Sequence, residues 1–97
     1  DTTLICDSRG AIAMGGVMGG MESAVSEKTR NILLEGAFFS PSAVRGKTVR
    51  HHLTSEAAHR FERGVDSQLP PRALSAAAKL LMQICGGKAG PQRVFPK

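Results

Sequence analysis

Apolar runs broken by glycine and turn residues fill the first part of the chain, and helical spacing of apolar residues takes over in the second. Thr2–Cys6 (TTLIC) is β-branched and apolar, Asp7-Ser8-Arg9-Gly10 is turn-forming, and Ala11–Met14 is apolar again. That order predicts a β-hairpin. Two glycine pairs follow, Gly15-Gly16 and Gly19-Gly20, with Val17-Met18 between them. Without Cβ atoms, such pairs permit a tight bend and let a backbone N–H approach a ligand or another segment. Glu22 to Thr29 is polar and predicts an exposed connection or a short helical turn. Asn31–Phe39 (NILLEGAFF) is the best strand candidate. Alternation places Leu33, Glu35, Ala37 and Phe39 on one face and Ile32, Leu34, Gly36 and Phe38 on the other, so both faces are mostly apolar and an inner strand is expected.

Three helices are expected after it. Ser40 suits an N-cap and Pro41 a first helical position, and that helix is expected to run to about His51 in spite of Gly46. Glu56–Arg63 predicts a second helix, with Phe61 turned inward and Gly64 as a left-handed C-cap. In the third, from about Pro71 to Cys85, Leu74, Ala77, Leu80, Leu81 and Ile84 recur at three- and four-residue spacing before Gly86-Gly87. Val94-Phe95 is a candidate terminal strand. Strands first and helices after predict an α+β fold, not a doubly wound sheet.

Composition narrows this picture modestly. The 97 residues hold 41% apolar residues and only four phenylalanines among the aromatics, so the core must be aliphatic and alanine-rich. A net charge of +5 with a pI near 9.9 permits an anionic partner such as RNA, although Lys and Arg are spread along the chain instead of forming a run. Cys6 and Cys85 lie far apart in apolar contexts with no C-x-x-C partner; a disulfide between them is open but not implied, and the pattern reads as buried free thiols in a reducing, cytoplasmic protein. No signal peptide or membrane-spanning run is visible, and a start at Asp1 directly in a strand-like run is how a piece of a longer protein looks.

Chemistry is harder to read from spacing. The glycine stretch lacks the Lys of a P-loop and the i, i+2, i+5 glycines of a dinucleotide fingerprint, so it serves either as a set of bends or as a ligand cradle. Glu35 is a carboxylate among hydrocarbon, costly unless paired or open to water; it is either a pocket residue or the outward residue of an edge strand. The serines belong to no nucleophile elbow, and His51, His52 and His59 belong to no metal-ligand motif.

Taken together, three separated stretches resemble a known family. GGVMGGMESAVSEKTRNILLEGAFFSPSAVR, then TSEAAHRFERGVD, then a helix ending ICGG resemble the β subunit of bacterial phenylalanyl-tRNA synthetase, specifically the C-terminal half of its editing domain, the B3/B4 module. The likeness runs from Asp1 to about Gly90, so residues 1–97 are expected to be a partial editing domain. The resemblance implies β-sheet layers, mixed or antiparallel, covered on one side by helices. It also implies an assembly of two α and two β chains that joins phenylalanine to tRNA(Phe) with ATP and magnesium. The synthetic site of that family is in the α subunit, so no cofactor is expected in this chain.

The module implied by the resemblance hydrolyses tyrosine wrongly attached to tRNA(Phe). Its tyrosine-reading carboxylate falls on Glu35, its backbone donor on Gly16 with Gly15 beside it, and its small pocket residues on Ser55 and Ala57. A histidine and a threonine of the family's pocket come from the preceding half of the module, so this chain alone is expected to clear little mischarged tRNA. The rival expectation is a non-catalytic tRNA-binding or structural module, in which Arg45, Lys47, Arg50, Arg60 and Arg63 form a basic surface and the glycines are only bends.

Overall fold

The hairpin predicted from the turn residues is present. In the computed structural model, which describes residues 1–95, β1 (Leu4–Asp7) and β2 (Gly10–Met14) pair antiparallel, and the short β3 (Met18–Gly19) adds to β2, giving a three-stranded sheet in the order β1-β2-β3. The Asp7 carboxylate accepts the Arg9 N–H at 2.8 Å, the local bond that favours Asp at a turn. The register slips by one residue where Ile5 faces Ala13 and Cys6 faces Ala11. Ile12 is the extra residue of this bulge, and its carbonyl accepts the Gly20 N–H at 2.7 Å and the Ser23 hydroxyl at 3.3 Å.

Four helical segments follow: α1 (Pro41–Val44), α2 (Lys47–Arg50), α3 (Glu56–Arg63) and α4 (Pro70–Cys85). The expected α+β class is borne out. The helix expected to run from Ser40 to His51 is instead two single turns, because Gly46 stands between them at φ +84°, outside the right-handed helical region. Ser40 precedes α1, but its hydroxyl pairs with that of Ser42 and caps no amide. Gly64 ends α3 with positive φ but with ψ 134°, so it is not the left-handed cap expected.

The chain forms two compact units: Asp1–Asn31 with Phe38–Val65, and Ile32–Ala37 with the chain from Asp66 onward. The first holds the sheet and α1–α3 around a small core of Val17, Val44 and Ala58, with Met14, Phe39, Leu53 and Phe61 packed against it. Val44 is fully buried. Ala58 faces inward from α3, and Phe61 lies one turn further on, as its spacing predicts.

In the second unit, residues 32–37 run without regular structure beside α4. The inner strand expected over Asn31–Phe39 is therefore corrected: among the described residues, no backbone group of residues 32–37 makes a hydrogen bond, and Leu33 is 96% exposed. A strand exists only when a partner edge accepts it, and among the described residues none pairs with residues 32–37. It touches α4 at Gly36, where a Cβ would come within 2.8 Å of Leu74. Along α4, Leu74 and Leu81 are half-buried, whereas Leu80 and Ile84 are exposed. Val94-Phe95 forms no strand, and Gln92 instead ties the final segment to α4 by donating to the Pro71 carbonyl at 3.3 Å.

Candidate functional site

The first glycine pair builds the most closely packed turn in the first unit. Met14–Val17 turns on itself, with the Val17 N–H donating to the Met14 carbonyl at 3.0 Å and Gly16 at φ +72°, a conformation that disfavours any residue with a Cβ. Space forbids a side chain as well. A Cβ on Gly16 would lie 2.8 Å from Val44 Cγ2 and 3.0 Å from the Phe39 ring, and one on Gly15 would lie 2.7 Å from the same ring. Phe39 and Phe61 meet edge to face, with centroids 5.2 Å apart and planes at 79°, a favourable arrangement of ring quadrupoles. The turn is thus closed on by two aromatic rings and Val44.

The two glycines differ in their amides. Gly15 N–H donates to the Thr3 carbonyl at 2.8 Å. Gly16 N–H has no hydrogen-bond partner among the described residues, although the residue is only partly exposed. An unsatisfied donor in a half-apolar setting costs free energy unless water or a ligand accepts it.

Ser55 and Ala57 belong to the same unit. Ser55 is the N-cap of α3: its hydroxyl accepts the Ala58 N–H at 3.1 Å. A small polar residue is required there by the helix itself, a role that spacing alone does not assign to it. Ala57 sits in the first turn of α3 and is exposed. Glu35 belongs to the second unit, is exposed, and makes neither an ion pair nor a hydrogen bond among the described residues. Its exposure has the same cause as the loss of the strand that carries it: among the described residues, no strand pairs with residues 32–37.

Phe39 is a motif marker in the sequence, but its place against Gly15 and Gly16 is not legible there. The signal for it is slight but physical, since a glycine pair and a large aromatic side chain each ask for a partner of opposite size. Cys6 and Cys85 are free and exposed instead of buried. Among the described residues, no three of His, Cys, Asp and Glu group as a metal would require. No helix among them is long and apolar enough to cross a membrane. An open cleft of about 340 Å³ lies at the other end of the sheet, lined by Asp7, Arg9, Ile12, Met21, Glu22 and Ser23 among others, and includes none of the residues above.

A small antiparallel sheet with its glycine turn packed under short helices is the architecture in which the sequence falls: residues 1–86 match the B3/4 domain family, and the chain belongs to it. The motif-level resemblance to phenylalanyl-tRNA synthetase β subunits is also borne out. The phenylalanine–tRNA ligase β subunit of Pectobacterium atrosepticum is 50% identical over 91 residues, which cover 94% of this chain and 11% of that protein. That of Idiomarina loihiensis is 53% identical over the same shares. That of Aromatoleum aromaticum is 48% identical over 94% of this chain and 12% of its own length. The chain thus spans 11–12% of the length of these relatives.

Proposed function

We propose that this chain is the part of a phenylalanine–tRNA ligase β subunit that reads the side-chain hydroxyl of tyrosine wrongly esterified to tRNA(Phe), so that the ester is hydrolysed. The observation that carries the reading is the Gly16 amide, a donor without a partner among the described residues, at a turn that two phenylalanine rings approach. In this role the amide donates to the phenol oxygen and the Glu35 carboxylate accepts the phenol proton. Gly15, beside Gly16, lets the Phe39 ring pack against the turn, and Ser55 and Ala57 leave room for the substrate.

Phenylalanine and tyrosine differ by one hydroxyl, so a site that removes only tyrosine must depend on that group. With phenylalanine bound, donor and acceptor would both lose water and gain no partner, at about 1–3 kcal/mol for each unsatisfied group. Sites that require a hydroxyl reject the analogue lacking it by up to roughly 10⁴–10⁵-fold. Water attacks the ester carbonyl carbon, the bond to the ribose oxygen breaks, and tyrosine and free tRNA(Phe) leave. No side chain of this chain is assigned as nucleophile. In this reading ATP and magnesium serve the synthetic site on the α subunit, and the working assembly is cytoplasmic, with two α and two β chains.

The rival reading, a tRNA-binding or structural module without catalysis, draws on Arg45 and on the basic side chains of α2 and α3. The two part cleanly in the intact ligase. Glu35→Ala should leave phenylalanine charging within about twofold of the parent while Tyr-tRNA(Phe) persists. Loss of tRNA affinity with tyrosine clearance intact would instead favour the binding module.

A further inference from the structure

The cations between Arg45 and Arg63 fall into two chemical states. Lys47 and Arg50 both reach the Asp1 carboxylate, at 3.1 and 2.9 Å, and Arg60 reaches that of Glu56 at 3.2 Å. Arg45 and Arg63 have no ion-pair partner among the described residues, yet their head groups are held. Arg45 Nη2 donates to the Glu62 carbonyl at 2.9 Å. Arg63 Nη1 donates to the His59 carbonyl at 3.0 Å and meets His59 Nδ1 at 2.9 Å. A carbonyl orients a guanidinium without neutralising it, so each keeps its charge and its remaining N–H groups for another acceptor.

The two anchors are neighbours. His59 and Glu62 both lie in α3. Their i, i+3 spacing sets them side by side on one helix face, with Cβ atoms about 5–6 Å apart. The Glu62 carboxylate accepts from the Thr48 hydroxyl at 3.4 Å and pairs with neither arginine. Arginine has no acceptor atom, so in a hydrogen bond with His59 Nδ1 it is the donor, and the tautomer that accepts this bond presents Nε2–H as a further donor. Arg45, His59 and Arg63 are all exposed.

We infer that Arg45, Arg63 and the Nε2–H of His59 form a docking point for the phosphodiester backbone of tRNA. Planar forks fixed in advance suit phosphate oxygens and lose less freedom on binding than free side chains would. RNA fits better than an acidic protein face, because α3 carries no large exposed hydrophobic residue to anchor a protein interface. The identity of the RNA rests on the tRNA-ligase reading above.

The test uses the intact ligase and an uncharged tRNA(Phe) transcript, with affinity followed by fluorescence anisotropy over a salt series. The Arg45→Gln/Arg63→Gln pair should bind about tenfold more weakly, and the slope of log Kd against log salt should fall by about 1 for each phosphate that is no longer neutralised. Arg45→Lys/Arg63→Lys should keep most of the slope, and Arg60→Gln should bind within about twofold of the parent. Should the glutamine pair fail to fold, Arg63→Gln alone carries the test. Unchanged affinity and slope in a folded glutamine variant would overturn the inference. So would unchanged tRNA binding with loss of subunit assembly by light scattering, which would mark a protein interface. Because the probe carries no amino acid, these outcomes are separate from tyrosine hydrolysis: a ligase that binds through these arginines but never clears Tyr-tRNA(Phe) would sink the editing reading alone.

Discussion

The two units of this chain invert the usual relation between a good-looking element and a buried one. The second unit contains α4, whose apolar residues recur most regularly, yet none of its residues is fully buried and Ile84 is 73% exposed. The first unit contains α1, one turn of four residues, yet Val44 within it is the most buried side chain of the described chain. Periodicity reports that a helix can form and which stripe would be apolar. It does not report whether another element covers the stripe. In the first unit the glycine turn, the aromatic pair and two short helices supply that cover; along residues 32–37 and much of α4 it is missing.

Substitutions can sharpen or break this contrast. The largest effect is expected at Gly16→Ala, which meets both a forbidden backbone conformation and Val44. The two costs, about 1–2 kcal/mol for the left-handed residue and about 1–3 kcal/mol for overpacking, make roughly 2–5 kcal/mol together. A urea melt of the chain should show the loss as a lower midpoint, and an unchanged midpoint would mean that the turn is not packed as described. Next comes the direct comparison of the units. Val44→Ala should cost about 2–3 kcal/mol through lost burial and the cavity left behind, whereas Ile84→Ala should stay within about 0.5 kcal/mol. Equal effects would erase the distinction. Ser55→Ala should cost about 1 kcal/mol by removing the cap of α3, while tyrosine clearance by the intact ligase persists because alanine is no larger. A collapse of clearance with stability unchanged would make the hydroxyl part of the chemistry instead.

Local signals are legible in the sequence and non-local ones are not. Asp7-Ser8-Arg9-Gly10 announces the hairpin because its turn chemistry is self-contained, and α3 and α4 are readable from the spacing of their residues and the glycines that stop them. A single helix through Gly46 does not form: apolar residues on both sides suggest continuity, while the left-handed glycine between them decides the break. Asn31–Phe39 departs from expectation for another reason: strand propensity is a local property, but strand formation needs a second edge. At the candidate site, the sequence leaves Gly15 and Gly16 open as either bends or a cradle. The geometry shows a packed bend and leaves one amide of the pair without a partner among the described residues. The role of Ser55 as a cap lies in its position just before EAAHRFER, a signal of helix initiation and not of a pocket.

The proposed editing role needs the Gly16 amide, unpartnered among the described residues, and the Glu35 carboxylate to meet one phenol oxygen. A crystal of the intact ligase soaked in turn with tyrosine and with phenylalanine tests it most directly. Tyrosine should bind with its phenol oxygen within hydrogen-bond distance of both the Gly16 N–H and the Glu35 carboxylate, with no phenylalanine there at the same concentration. Phenylalanine bound equally well at that position, or tyrosine bound with its hydroxyl touching neither group, would contradict it.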